Sequence, residues 1–214
     1  MKVSQLRQII KEEVKSVLLE NELSEKDQIT AVQKDGFSIQ DIDNPSEAVQ
    51  LAAVKENPDS IQFIKNPSEA VQLAAIREHS YSIQFIKNPS EKLQLAAVKI
   101  WGYSIRYIQN PSERVQLAAV DQNPYSIQFI ENPSEKLQLF TVKKFPISIH
   151  SIKNPSETVQ LAAVEKKPYS IKFIENPTER VQLVAVEKDG LTIDYIENPS
   201  EKVKQLARSK GVKI

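Results

Sequence analysis

The stretch Asn44-Pro45-Ser46-Glu47-Ala48-Val49-Gln50-Leu51-Ala52-Ala53-Val54-Lys55-Glu56-Asn57-Pro58-Asp59-Ser60-Ile61-Gln62-Phe63-Ile64-Lys65 decides the fold, because the chain repeats it. Asn-Pro-Ser-Glu begins at Asn44, Asn66, Asn88, Asn110, Asn132, Asn154 and Asn198, and Asn-Pro-Thr-Glu at Asn176, in steps of 22 residues with no insertion or deletion. A degenerate copy, Glu22-Leu23-Ser24-Glu25, lies one step earlier and keeps Ile29, Ala31, Val32, Ser38, Ile39 and Ile42 in phase. With Asn44 as position 1, all 12 prolines fall on positions 2 and 15. A fixed short period of this kind marks a repeat architecture. The expected organisation is an N-terminal segment 1–21, eight 22-residue repeats over 22–197, and a half repeat over 198–214.

Within one repeat the residues spell two helices. Asn44 suits an N-cap, Pro45 the first helical position, and Glu47 completes a capping box three residues on. Helix formers then run from Leu51 to Lys55. Asn57-Pro58 ends that helix and opens a second, short one over about 58–64, since proline is tolerated only in a first turn. Such a hairpin cannot bury its apolar surface alone, so neighbours must stack. The expected fold class is all-α, a right-handed α-solenoid (superhelix) of helix-turn-helix repeats with capping helices. At about 100° per residue, positions 6, 8, 9, 10 and 11 surround most of the first helix, and only positions 5 and 12 share a consistently polar wedge.

Polar and aromatic residues recur in register. Position 7 is Gln50, Gln72, Gln94, Gln116, Gln138, Gln160 and Gln182, opposite the exposed wedge. A buried amide must find partners, so the row reads as glutamines bonded to turn backbone, with a line of recognition groups as the alternative. Position 17 is serine, or Thr192 in the last repeat. Position 16 carries Phe37, Tyr81, Tyr103, Tyr125 and Tyr169; position 20 carries Phe63, Phe85, Tyr107, Phe129, Phe173 and Tyr195. Spaced i and i+4, these columns are expected on one face, sealing the seam between repeats or, alternatively, stacking bases. Two repeats are irregular. Ile100-Trp101-Gly102 brings the single tryptophan, which either anchors a partner or covers an end of the second helix. Phe140-Thr141 replaces the Ala pair while Ser151 replaces an aromatic, which suggests volume compensation across the core.

Composition excludes several classes. The 214 residues hold 28 basic and 28 acidic side chains, no Cys, two His and four Gly. Balanced charge lacks the basic excess of a generic nucleic-acid binder. Without cysteine there is no disulfide, thiol nucleophile or Cys-bearing zinc site. No apolar run is long enough to span a bilayer. His79 and His150 occupy different repeat positions more than three repeats apart, and no Gly-rich phosphate loop occurs. The expected catalytic, cofactor-binding and metal-binding sets are therefore empty, and the chain is expected to be a soluble, cytoplasmic non-enzyme.

The ends differ from the array. Val3, Leu6, Ile9, Ile10, Val14, Val17 and Leu18 recur at helical spacing in 1–21, which reads as an amphipathic cap on the first repeat. Lys202, Lys204, Gln205, Arg208 and Lys210 make the last half repeat polar. Charge is uneven: two Lys against six acids in 22–43, and five basic residues against Glu201 in 198–214.

With Asn-Pro-Ser-Glu-x-Val-Gln-Leu-Ala-Ala-Val in view, the array is similar to functionally uncharacterised bacterial and viral two-helix repeats, and in style to HEAT repeats and leucine-rich-repeat variants. HEAT units share the Asp/Asn-Pro opening but are nearly twice as long. The resemblance implies a binding or scaffolding role and carries no catalytic residues. The opening Ser4-Gln5-Leu6-Arg7-Gln8-Ile9-Ile10-Lys11-Glu12-Glu13-Val14 is similar to N-terminal helices of marine tailed-phage proteins, which implies a host cytoplasm or virion setting. The function expected is an interaction or scaffold protein gripping a protein or peptide along an extended face. One alternative is nucleic-acid binding through Lys55, Arg77, Lys92, Lys99, Arg114, Lys136 and Lys143. A second is head-to-tail self-assembly into a homo-oligomer.

Overall fold

The asparagine at position 1 turns the chain between repeats. Asn44, Asn66, Asn88, Asn110, Asn154 and Asn198 all have positive φ, between 47° and 53°, a region asparagine enters more readily than other side chains that carry a Cβ. The proline after it continues the turn, and the helix cap is the next residue. Ser46, Ser68, Ser90, Ser112, Ser134, Ser156, Thr178 and Ser200 each accept from the backbone N–H three residues on, and the helix starts at the following glutamate. The expected Asn N-cap is thus displaced by two residues. Asparagine is favoured both as a cap and in the left-handed turn, and here the turn claims it.

The computed structural model describes residues 23–214. The proposed capping segment 1–21 lies outside them. Every regular element among the described residues is helical, with no strand. Ten-residue α-helices alternate with six-residue 3-10 helices at the 22-residue step, which is the α-solenoid pattern. The chain divides into two compact units, the first ending at Asn88 and the second spanning Pro89–Ile214. In the first, α-helices Glu25–Lys34, Glu47–Glu56 and Glu69–Glu78 alternate with 3-10 helices Gly36–Asp41, Pro58–Phe63 and Ser80–Phe85. In the second, α-helices Glu91–Ile100, Glu113–Gln122, Glu135–Lys144, Glu157–Lys166 and Glu179–Lys188 are each followed by a 3-10 helix, and Glu201–Ser209 closes the series. That last helix stops on Gly211 (φ 85°), with Val212 N–H donating back to the Ala207 carbonyl at 3.1 Å.

One residue joins each helix pair. Position 14 is extended and serves as the end of the α-helix and the cap of the 3-10 helix at once. Asp35, Asn57, Asn123 and Asp189 accept there from the N–H two residues on, at 3.0–3.1 Å. At three residues per turn, positions 15, 18 and 21 share a face, and Ile61, Ile83, Ile105, Ile127, Ile149, Ile171 and Ile193 at position 18 are buried. Positions 6, 10 and 11 of the α-helix supply the opposing core, as in Val49, Ala53 and Val54 or Val159, Ala163 and Val164. Position 8 departs from expectation. It is not interior: Leu51 and Leu117 are exposed, and Leu73, Leu95, Leu139, Leu161 and Leu183 are half-buried. The core closes one side of each long helix, its neighbours close the flanks, and the outer side stays open.

Neighbouring repeats also share polar bonds. Glu47, Glu91, Glu135 and Glu157 each accept at 2.5 Å from the capping hydroxyl of the next repeat (Ser68, Ser112, Ser156 and Thr178), and Glu25 accepts likewise from Ser46. At two of the three repeats where glycine replaces proline at position 15, the freed N–H bonds a side chain of the next repeat: Gly36 donates to Glu56 Oε2 at 2.6 Å and Gly102 to Gln122 Oε1 at 2.7 Å. That approach leaves no room for a methyl group, since a Cβ on Gly102 would sit 2.5 Å from the Ala119 carbonyl oxygen and 2.6 Å from Ser126 Oγ. Gly102→Ala is expected to lose about 1–3 kcal/mol in urea denaturation. A variant as stable as the parent would contradict this packing.

Candidate functional site

The glutamine row is internal scaffolding. Nε2 of Gln50, Gln72, Gln94, Gln116, Gln138, Gln160 and Gln182 donates to the carbonyl of the proline five residues earlier at 2.8–3.0 Å. Gln28 does the same to Leu23 at 2.9 Å. Each amide pins the turn to the helix that follows it. From Ser60 to Thr192 the position-17 hydroxyls are buried against the same core, and two of them bond backbone there: Ser148 donates to the Phe145 carbonyl at 2.5 Å and Thr192 to that of Asp189 at 2.7 Å.

The aromatic columns seal a seam, by a route other than the one expected. Residues four apart in a 3-10 helix point about 120° away from each other, so positions 16 and 20 of one repeat are not aligned on one face, although Tyr169 and Phe173 still meet edge-on at 5.9 Å. Position 16 turns instead to position 20 of the next repeat. The ring centroids of Phe37 and Phe63 lie 5.6 Å apart, those of Tyr103 and Phe129 5.3 Å, and those of Tyr169 and Tyr195 4.9 Å, all edge-on. Where Ser151 removes a ring, His150 takes its place and stacks on Tyr125 at 5.2 Å. Cations cover the outside of this seam. Arg106 lies 5.0 Å from the Phe129 ring and Lys172 lies 5.5 Å from both Tyr169 and Tyr195. The Tyr169 hydroxyl, accepting from Lys172 at 3.1 Å, holds that ammonium above the ordinary lysine value. Trp101 is 37 % exposed and meets Tyr103 edge-on at 5.6 Å, covering the start of the 3-10 helix Gly102–Tyr107.

The surface left unsatisfied is the outer side of the long helices. At about 100° per residue, positions 8 and 9 stand about 40–60° to either side of the polar wedge, so they form the shoulders of the exposed arc. That closeness marks position 8 as a shoulder only once the buried arc, positions 6, 10 and 11, is known. In the second unit the resulting strip, Leu95, Leu117, Leu139, Leu161 and Leu183, runs between two charged margins. Along one margin Lys136 reaches Glu113 at 3.0 Å, Arg114 reaches Glu91 at 3.8 Å and Arg180 reaches Glu157 at 3.8 Å. Along the other, Lys144 pairs with Asp121, and Lys210 reaches Glu187 at 2.7 Å. At the end of the strip the Lys204 ammonium, 2.8 Å from Glu201, draws that carboxyl below its ordinary value.

The strip deepens at one junction. Glu113–Gln122 and Glu135–Lys144 pack less closely than the other neighbouring α-helices of the second unit, and Phe140 stands where the other repeats have alanine, valine or, at Thr30, threonine. A groove of about 740 Å³ opens there, lined by Leu117, Leu137, Leu139 and Phe140 with Arg114, Lys136 and Lys143 at its edge. Phe140 is half-exposed, while Thr141 is buried and donates to the Leu137 carbonyl at 2.7 Å. The irregular pair therefore shapes a surface groove and does not exchange volume across the core.

No chemical constellation accompanies this surface. Among the described residues no group of three His, Asp or Glu could hold a metal, and no helix is long and apolar enough to cross a membrane. His79 stacks on Tyr81 at 5.0 Å in the first unit, whereas His150 belongs to the second. Comparison with protein-family models, curated proteins and solved structures finds no match to this chain. Phe140→Ala is expected to change unfolding free energy by less than about 1 kcal/mol. The loss of about 3–5 kcal/mol typical of a core phenylalanine would place the ring in the interior and remove the groove.

Proposed function

We propose that the chain is a non-enzymatic interaction or scaffold protein that holds a protein or peptide along the outer face of its long helices. The observation that carries this reading is the unburied leucine strip. A repeat protein gains solubility by making its outer arc polar, yet position 8 is leucine in seven consecutive repeats, from Leu51 to Leu183. Contiguous apolar surface with polar margins is how protein-binding faces differ from ordinary surface. The other recurrent groups have internal duties: the glutamines pin turns, the aromatics close the seam, and the glutamates cap neighbouring serines.

Nucleic-acid binding is the weaker reading. Of its seven basic residues, Arg114 and Lys136 are paired with glutamates across repeats, and the margins are close to neutral, which gives little counterion release. Head-to-tail assembly rests on the uneven end charges alone. Kinship with bacterial and viral two-helix repeats, a phage source and a cytoplasmic or virion setting belong to the same proposal. They rest on the repeated motif and on the opening segment.

Affinity capture from host lysate tests the main reading. The parent chain is expected to retain a protein that Leu117→Asp/Leu139→Asp does not, with the two chains melting within a few degrees of each other. Equal retention by both chains, or a shift of single-stranded RNA at about 50 mM salt in place of any protein, would overturn it.

A further inference from the structure

We propose that the first unit carries a second, separate site: a groove on the turn side of the repeats that binds an extended peptide through two of its carboxylates. The groove lies between the 3-10 helices Pro58–Phe63 and Ser80–Phe85 and has a volume of about 580 Å³. Lys65, Asn66, Gln72 and Lys87 line it, with Phe63 and Phe85 as its apolar part. It belongs to a different unit from the Phe140 groove and shares no residue with the leucine strip, so it stands independently of the outer-face reading.

The walls of this groove hold charge of one sign. Lys65 and Lys87 line it and no carboxylate does, and neither lysine forms an ion pair among the described residues. Comparable grooves on the turn side are different: Asp43 and Lys65 both line the one a repeat earlier, and Lys153 and Glu175, with His150, line one in the second unit. The acids nearest in sequence keep their charge but stay outside the walls. Asp43 belongs to the preceding groove, and Asp59 accepts from Ser82 Oγ at 3.3 Å. Glu47 and Glu69 occupy the repeat position whose counterparts Glu113 and Glu135 line the outer groove. An anion seated between the two lysines therefore meets cations at shorter range than it meets carboxylates.

The remaining wall groups point to a peptide. Ile64 is extended (φ −86°, ψ 120°), and the backbone N–H groups of Lys65, Asn66 and Lys87 have no acceptor among the described residues. Gln62 and Gln72 already donate to the Asp59 and Pro67 carbonyls. Backbone donors left over beside two ammonium groups suit peptide carbonyls and carboxylates. A nucleic-acid strand fits less well, because its phosphates continue past two cations toward Asp43 and release few counterions. Spacing sets the register. Neighbouring repeats stand about 8–10 Å apart, close to the roughly 9.3 Å that three residues of a polyproline II segment cover. Carboxylates at i and i+3 of such a segment would meet Lys65 and Lys87, with the intervening side chains against Phe63, which is 40 % exposed.

Two dye-labelled proline-rich peptides, one with Glu at i and i+3 and the other with Gln there, test this by fluorescence anisotropy with the full chain. The Glu peptide is expected to bind about three- to tenfold tighter at low salt, a margin that narrows as salt screens it. Lys65→Gln/Lys87→Gln is expected to remove that preference without moving the melting temperature, and Leu117→Asp/Leu139→Asp to leave it intact. Equal affinities for the two peptides, or no binding of either, would overturn the inference. A preference that survives Lys65→Gln/Lys87→Gln, or that disappears in Leu117→Asp/Leu139→Asp, would overturn this groove as the site. A single-stranded RNA that displaces the Glu peptide from the parent at equal concentration would overturn the peptide as its occupant. None of these results bears on lysate capture through the outer face, which stands or falls separately.

Discussion

A hairpin of one ten-residue α-helix and one six-residue 3-10 helix has no interior of its own. Its apolar residues at positions 6, 10, 11, 18 and 21 lie on surfaces that only the hairpins before and after can cover. Everything else in each unit follows from that dependence. The serine that caps one helix is held by a glutamate of the preceding helix, the ring at position 16 meets a ring of the following repeat, and a glycine that lacks the usual proline donates its N–H onward. Contacts of this kind make stability a sum over neighbours.

The dependence also explains why polar residues recur so strictly. A turn must be made once per repeat, left-handed at six of the eight asparagines that open it, and it has to enter the next helix at a fixed angle for the core positions to meet. Asparagine makes the turn, proline stiffens it, and the glutamine five residues past the proline ties the turn to the helix. These residues are repeated because the geometry is repeated. A row of identical polar residues is thus a poor guide to function here, and the informative positions are the ones where repetition leaves something unburied or breaks off.

Much of this was legible in the chain. Period, hairpin, the turn-bonding glutamines and the aromatic seam all follow from spacing, because 22-residue register and burial leave few alternatives. Three features were not. Six residues from Pro58 to Phe63 fit either helix type, and only the bond pattern separates them, so spacing alone places Tyr103 beside Tyr107 while its ring meets Phe129 of the next repeat, and Tyr169 meets Tyr195 of the next repeat as well as Phe173. Asn44 suits both a cap and a left-handed turn, and local sequence does not choose. Leu117 looks like core in a string of apolar letters; its place on the shoulder of the polar wedge emerges only when the real buried arc is known. The Phe140 groove is tertiary in origin, since it depends on how far two neighbouring helices stand apart.

The central claim is that each repeat borrows its interior from its neighbours. It is tested most directly by hydrogen exchange on the full chain carrying Val120→Asp, a charge placed at a fully buried core position. Loss of amide protection is predicted to spread from Glu113–Gln122 into Glu91–Ile100 and Glu135–Lys144. Loss confined to residues 110–131, with both neighbouring helices as protected as in the parent, would contradict it.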